Sequence, residues 1–177
     1  MKKLIGIIGA VLVAAVINLN AAVVGLDVPT NAIHQLTVAV YPGFSPNLTL
    51  ADGSESPWGA GVALLYPISP LSPYVLVGGR FDWLADEFWA PSVDLTIQVP
   101  VKVFGVSVTP FALGGAIYPI GGSQDNHEVG AIVGAGAYAT VWRPSEATSL
   151  QLFYAYEHWF NLECDVHRPG LAFTVKF

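Results

Sequence analysis

Apolar and polar side chains alternate with a period of two in eight stretches of this chain: 34–42, 57–66, 73–84, 90–101, 104–116, 128–141, 148–160 and 169–177. Successive side chains of a β-strand point to opposite faces, so this period predicts strands. The fourth stretch is the clearest. Val93, Leu95, Ile97, Val99 and Val101 share one face, and Ser92, Asp94, Thr96 and Gln98 the other. In the third, Val75, Val77, Phe81 and Trp83 oppose Tyr74, Gly78, Arg80 and Asp82. In the last, Leu171, Phe173, Val175 and Phe177 oppose Gly170, Thr174 and Lys176. The second sets Trp58, Val62, Leu64 and Tyr66 against Gly59, Gly61 and Ala63. The first, sixth and seventh follow more loosely, and the fifth is ambiguous. Glycines 130, 134 and 136 leave space along the sixth.

Composition decides which face meets solvent. Charged residues make up 11% of the chain, against roughly 25% in an ordinary soluble domain, and hydrophobic ones make up 53%. After residue 25 there is no apolar run of the ~18 residues that a membrane helix needs. A soluble barrel keeps its apolar face inside and charges outside; an outer-membrane barrel reverses this. The strands carry only Arg80, Asp82, Asp94, Glu157 and Lys176 as clear charges, too few for a solvated surface but suited to an interior ion network. The fold expected is all-β: an eight-stranded antiparallel up-and-down transmembrane β-barrel over 34–177. Within it Arg80 is expected to pair with Asp82, Asp94 or Glu157, because a buried charge without a partner is costly.

The head of the chain is of another kind. Met1-Lys2-Lys3 precedes the apolar run Leu4–Ile17, and Asn18-Leu19-Asn20-Ala21-Ala22 supplies polar and small residues. This is the layout of a cleaved secretory signal peptide, assigned to 1–21 and followed by an N-terminal extension over 22–33. Losing Lys2 and Lys3 takes seven basic residues to five against thirteen acidic, a net charge of −8. That sign argues against a nucleic-acid partner. The single cysteine, Cys164, excludes an intrachain disulfide.

With an even strand number and both termini on one side, the first, third, fifth and seventh connections become extracellular loops. They include the three longest and hold Asp52, Glu55, Asp86, Glu87, Asp125, Glu163 and Asp165, with Glu128 at the edge. The opposite turns carry Lys102 and Arg143. Trp58, Trp83, Trp89 and Trp159 fall near the loop end, and Tyr66, Phe104, Trp142 and Phe177 near the turn end, as two interfacial girdles would.

The segment Gly170-Leu-Ala-Phe-Thr-Val-Lys-Phe177 resembles the C-terminal signal of bacterial outer-membrane barrels, an alternating strand ending on an aromatic. That resemblance implies recognition by the barrel-assembly machinery through Leu171, Phe173, Val175 and Phe177. Thr109-Pro-Phe-Ala-Leu-Gly-Gly-Ala116 is similar to a strand of OmpA-like small barrels. Tyr154-Ala-Tyr-Glu-His-Trp-Phe-Asn161, with Pro169-Gly-Leu171, resembles the last hairpin of outer-membrane lipid A 3-O-deacylases, whose His-x-Ser-Asn motif supplies base and nucleophile. Here His158 and Asn161 match, Phe160 stands where the serine would be, and the carboxylate position falls near Ala172. Without a hydroxyl nucleophile the motif cannot run acyl transfer.

Asp125, His127 and Glu128 are read as a solvated loop rather than a metal site, and Gly121-Gly-Ser123 lacks the strand and lysine of a phosphate loop. No catalytic residue, metal or cofactor is expected. The expected protein is a monomeric, non-enzymatic outer-membrane barrel in contact with outer-membrane lipid and lipopolysaccharide. Its role would be structural, adhesive or in envelope integrity. A narrow channel or small-ligand barrel is the alternative, and a deacylase-like enzyme without activity the third reading.

Overall fold

The computed structural model describes residues 24–26, 35–44, 58–69, 72–84, 88–121 and 128–176. The signal-like head, Asp52, Glu55, Asp86, Glu87, Asp125, His127 and Phe177 lie outside them. The strands are β1 (Val24–Leu26), β2 (Gln35–Phe44), β3 (Trp58–Ser69), β4 (Ser72–Leu84) and β5 (Phe88–Gln98). They continue as β6 (Val101–Val103), β7 (Val106–Ile117), β8 (Gly130–Ser145), β9 (Thr148–Trp159) and β10 (Cys164–Lys176). All pairings are antiparallel: β2 to β5 pair in sequence, β5 pairs with β7, β7 to β10 pair in sequence, and β10 returns to β2. These eight strands close into a barrel, so none of them is an open edge.

Two short strands extend the ring at the turn end. Pro100 cannot donate to a ladder, and after it β5 resumes as β6, which pairs with β7 from Val101↔Val108 to Val103↔Val106. The Val99 N–H still reaches the Pro110 carbonyl at 3.0 Å. Phe104 and Gly105 both take positive φ (50° and 83°), as a two-residue turn matched to the strand twist requires. β1, inside the stretch read as an extension, adds to the free side of β6.

The alternation resolves as the composition demands. On β5, Val93, Leu95 and Ile97 are 61%, 52% and 58% exposed, whereas Asp94 and Thr96 are 3% and 1% exposed. The same inversion holds on β3, where Val62 and Leu64 face out and Ala63 and Leu65 face in. β7 explains its ambiguity: Phe111, Leu113 and Ile117 are buried inside, and the outward positions are Ala112, Gly114 and Ala116. Size, not polarity, alternates there.

Three expectations need correction. The last strand begins at Cys164 rather than 169, with Cys164↔Trp159 and Asp165↔His158 paired, so the final connection is a tight turn. Pro169 and Gly170, the first residues of the stretch read as 169–177, sit well inside the ladder, opposite Tyr154 and Phe153. Asp165 is therefore a strand residue, not a loop acid. Trp159 is no girdle residue: it shares parity with Glu157, points inward and is fully buried.

Candidate functional site

The interior is stacked in layers. Nearest the loops, Phe88, Ile117, Ile132, Trp159, Cys164 and Val166 are buried together. Below them lies a charged layer, then an aromatic one in which Tyr41, Phe153, Tyr138 and Phe111 contact in series, with centroids 4.8–5.7 Å apart. Towards the turns the filling becomes polar, with the Thr37 and Thr174 hydroxyls 2.9 Å apart.

The charged layer gathers Arg80 and Asp82 from β4, Asp94 from β5, Glu157 from β9 and Arg168 from β10, all buried. Arg80 Nε lies 2.8 Å from Asp94 Oδ2, and Arg80 Nη1 donates to Glu157. Arg168 presents its fork to Asp82, Nε to Oδ1 at 3.1 Å and Nη2 to Oδ2 at 2.8 Å, and its Nη1 also pairs with Glu157. Glu157 thus sits between both guanidiniums and further accepts the Trp159 indole N–H at 3.3 Å. Thr96 donates to Asp94 Oδ1 at 2.8 Å. The Arg168 guanidinium also lies 5.3 Å from the Tyr41 ring centre and 5.5 Å from that of Trp159, within cation–π range.

Inward glycines make room for these groups. A Cβ on Gly78 would stand 2.8 Å from both Asp94 Oδ2 and Leu65 Cδ2, and one on Gly134 would meet Glu157 Cγ at 2.6 Å. All four charged residues named from the sequence fall in this layer. Arg168 and Tyr41 were not singled out. Counting parity back from Ala172 and Gly170 would have turned Arg168 inward; starting the strand at 169 hid it.

A second polar group lies on the outer face of the last hairpin. Asp165 Oδ1 accepts the Tyr156 hydroxyl at 2.7 Å and lies 2.8 Å from His158 Nδ1, while the Tyr154 hydroxyl lies 2.5 Å from His167 Nδ1. The carboxylate beside His158 is therefore Asp165, directly across the ladder. Ala172, where the resemblance put it, is buried inside the barrel. Phe160 packs its ring edge-on to His158 at 4.8 Å, so an aromatic occupies the nucleophile position. Among the described residues no three His, Cys, Asp or Glu side chains form a metal cage; Glu128 is exposed. Of the assembly-signal residues, Leu171 and Phe173 are exposed on the outer face, and Val175, two residues on, is half-buried.

No family model and no curated protein matches the sequence. Solved structures do. Neisserial surface protein A is similar at a TM-score of 0.58 and 12% identity, over 81% of this chain and 96% of that one. Ail, the attachment invasion locus protein of Yersinia pestis, is similar at 0.44 and 14%, over 81% and 99%. By strand number, closure and the likeness to the first of these, the chain has the fold of the small eight-stranded outer-membrane β-barrels.

Proposed function

We propose that this chain resides in a bacterial outer membrane as a closed, non-enzymatic barrel that holds its loops at the cell surface for a structural, adhesive or envelope-integrity role. The observation that carries the reading is the inversion of the wall, charges within and large aliphatics without. Surrounding lipid and lipopolysaccharide would cover that belt, and the last strand, together with Phe177, would be the part read by the assembly machinery during insertion of a monomer. Removal of residues 1–21 would precede it.

Closure rests on what fills the lumen. Eight strands enclose a space that side chains can occupy completely, and here Trp159, Glu157 and Arg168 are at most 1% exposed. That packing weighs against the channel reading. Phe160 weighs against acyl transfer, because neither it nor any neighbour on its strand face offers a hydroxyl beyond Tyr154 and Tyr156, both already bonded to His167 and Asp165. The test is twofold. The purified barrel in a planar bilayer should give no stepwise conductance, and lipid A from cells making it should keep all its acyl chains. Reproducible conductance steps would establish the channel, and loss of a 3-hydroxyacyl chain the enzyme.

A further inference from the structure

The lumen sets two basic side chains, Arg80 and Arg168, against three acidic ones, Asp82, Asp94 and Glu157. Arginine does not give up its proton in proteins, so with every carboxylate ionised the cluster carries a net charge of −1. All five residues are at most 8% exposed, which keeps the excess charge out of contact with bulk solvent. Nor, among the described residues, does the rest of the wall compensate it. Tyr41 faces the cluster from β2, Tyr138 from β8, Thr96 from β5 and Trp159 from β9. β3 and β7 present Gly61, Ala63, Leu65, Phe111 and Leu113, and Val166 and Cys164 complete β10. The described cations Lys102 and Arg143 are exposed at the turn end, and His158 and His167 lie on the outer face.

A second observation points the same way. The hydroxyl of Tyr41, a side chain only 4% exposed, has no hydrogen-bond partner among the described residues. It is not remote from the cluster: a Cβ on Gly61 would touch both the Tyr41 ring and Asp82 Oδ1. A surplus carboxylate and, in the adjoining aromatic layer, an unsatisfied hydroxyl together call for one positive species, since an uncompensated buried charge is strongly unfavourable.

We propose that the layer formed by Arg80, Asp82, Asp94, Glu157 and Arg168 is a binding site for one further monovalent positive charge, held at neutral pH beside Tyr41. The layer is closely filled, with even a Cβ on Gly61 or Gly78 meeting neighbours within 3 Å, which favours a proton over the larger alkali-metal ion. Such a proton belongs to the coupled carboxylates together rather than to one of them. The proposal rests on the closed-barrel reading above and adds an occupant to its interior.

The full barrel, folded in detergent micelles, tests it by infrared spectroscopy. A proton should give the carbonyl stretch of an un-ionised carboxyl group at neutral pH. That band should vanish in both Asp82→Asn and Asp94→Asn, because either change brings the layer to two charges of each sign. As the wild type is made alkaline the band should titrate away and the thermal midpoint should fall, so the test does not depend on the variants folding. An alkali-metal occupant would instead give no such band and a midpoint that drops when sodium and potassium are replaced by choline. A wild type with no un-ionised carboxyl band and a midpoint indifferent to choline overturns the proposal. Folding is checked beforehand by the faster gel mobility of an unheated barrel; a wild type lacking it would count against the barrel reading instead.

Discussion

Replacing Arg168 with methionine removes a charge and a fork while keeping most of the side-chain length. In the wild type this guanidinium makes two bonds to Asp82, pairs with Glu157, and lies against the faces of Tyr41 and Trp159. After the change, three carboxylates face Arg80 alone. Breaking a buried pair from one side costs about 3–5 kcal/mol, and the two lost ring contacts add roughly 0.5–2 kcal/mol. Uptake of protons by the orphaned acids offsets part of this, so about 3–5 kcal/mol is the expected loss. Against a total of about 5–15 kcal/mol, that is a large fraction. Arg168→Lys should recover only part of it, because an ammonium cannot reproduce the two-point contact with Asp82. Arg143→Met, at an exposed position near the end of β8, should stay within about 0.5 kcal/mol. Urea unfolding of barrels folded into vesicles, followed by tryptophan fluorescence, measures all three. An Arg168→Met barrel within about 1 kcal/mol of wild type would show that the charged layer does not hold the lumen together.

Other substitutions probe the wall and the chain end. Leu95→Arg places a charge on the exposed belt and should cost about 2–4 kcal/mol near the bilayer midplane; a neutral result in the same unfolding assay would mean that face meets water. Gly136→Val would drive a Cβ into the Tyr154 carbonyl and the Phe111 ring, and overpacking of this kind costs about 1–3 kcal/mol; an unshifted urea midpoint would contradict the inward placement of Gly136. Phe177→Ser should lower the yield of barrel in outer-membrane preparations while leaving the midpoint of the folded fraction unchanged, and an unaltered yield would remove this residue from the assembly signal.

The wall was legible wherever polarity and parity agreed. β5 showed both faces because aliphatics and polar residues alternate strictly from Ser92 to Gln98. β7 did not, since its inner residues are large and apolar and its outer ones small, a contrast of volume that hydropathy does not register. The last hairpin was misjudged at its boundary, set at Pro169 although β10 begins at Cys164. Several prolines lie within strands of this closed wall, and Pro91 still takes the Tyr118 N–H on its carbonyl at 2.9 Å. That one misjudged boundary put Asp165 in a loop and left Arg168 out of the lumen. Four of the five members of the charged layer, Arg80, Asp82, Asp94 and Glu157, were thus readable. Its second cation, and the carboxylate beside His158, needed the register of β9 against β10.

Where the folded chain resides tests the account most directly. Cells making the full chain should yield it in the outer-membrane fraction of a density gradient, starting after residue ~21 as signal-peptide removal requires. Unheated, it should run as a compact species that shifts on boiling. Recovery of the folded protein in the soluble fraction, with its aliphatic belt in water, would contradict the account.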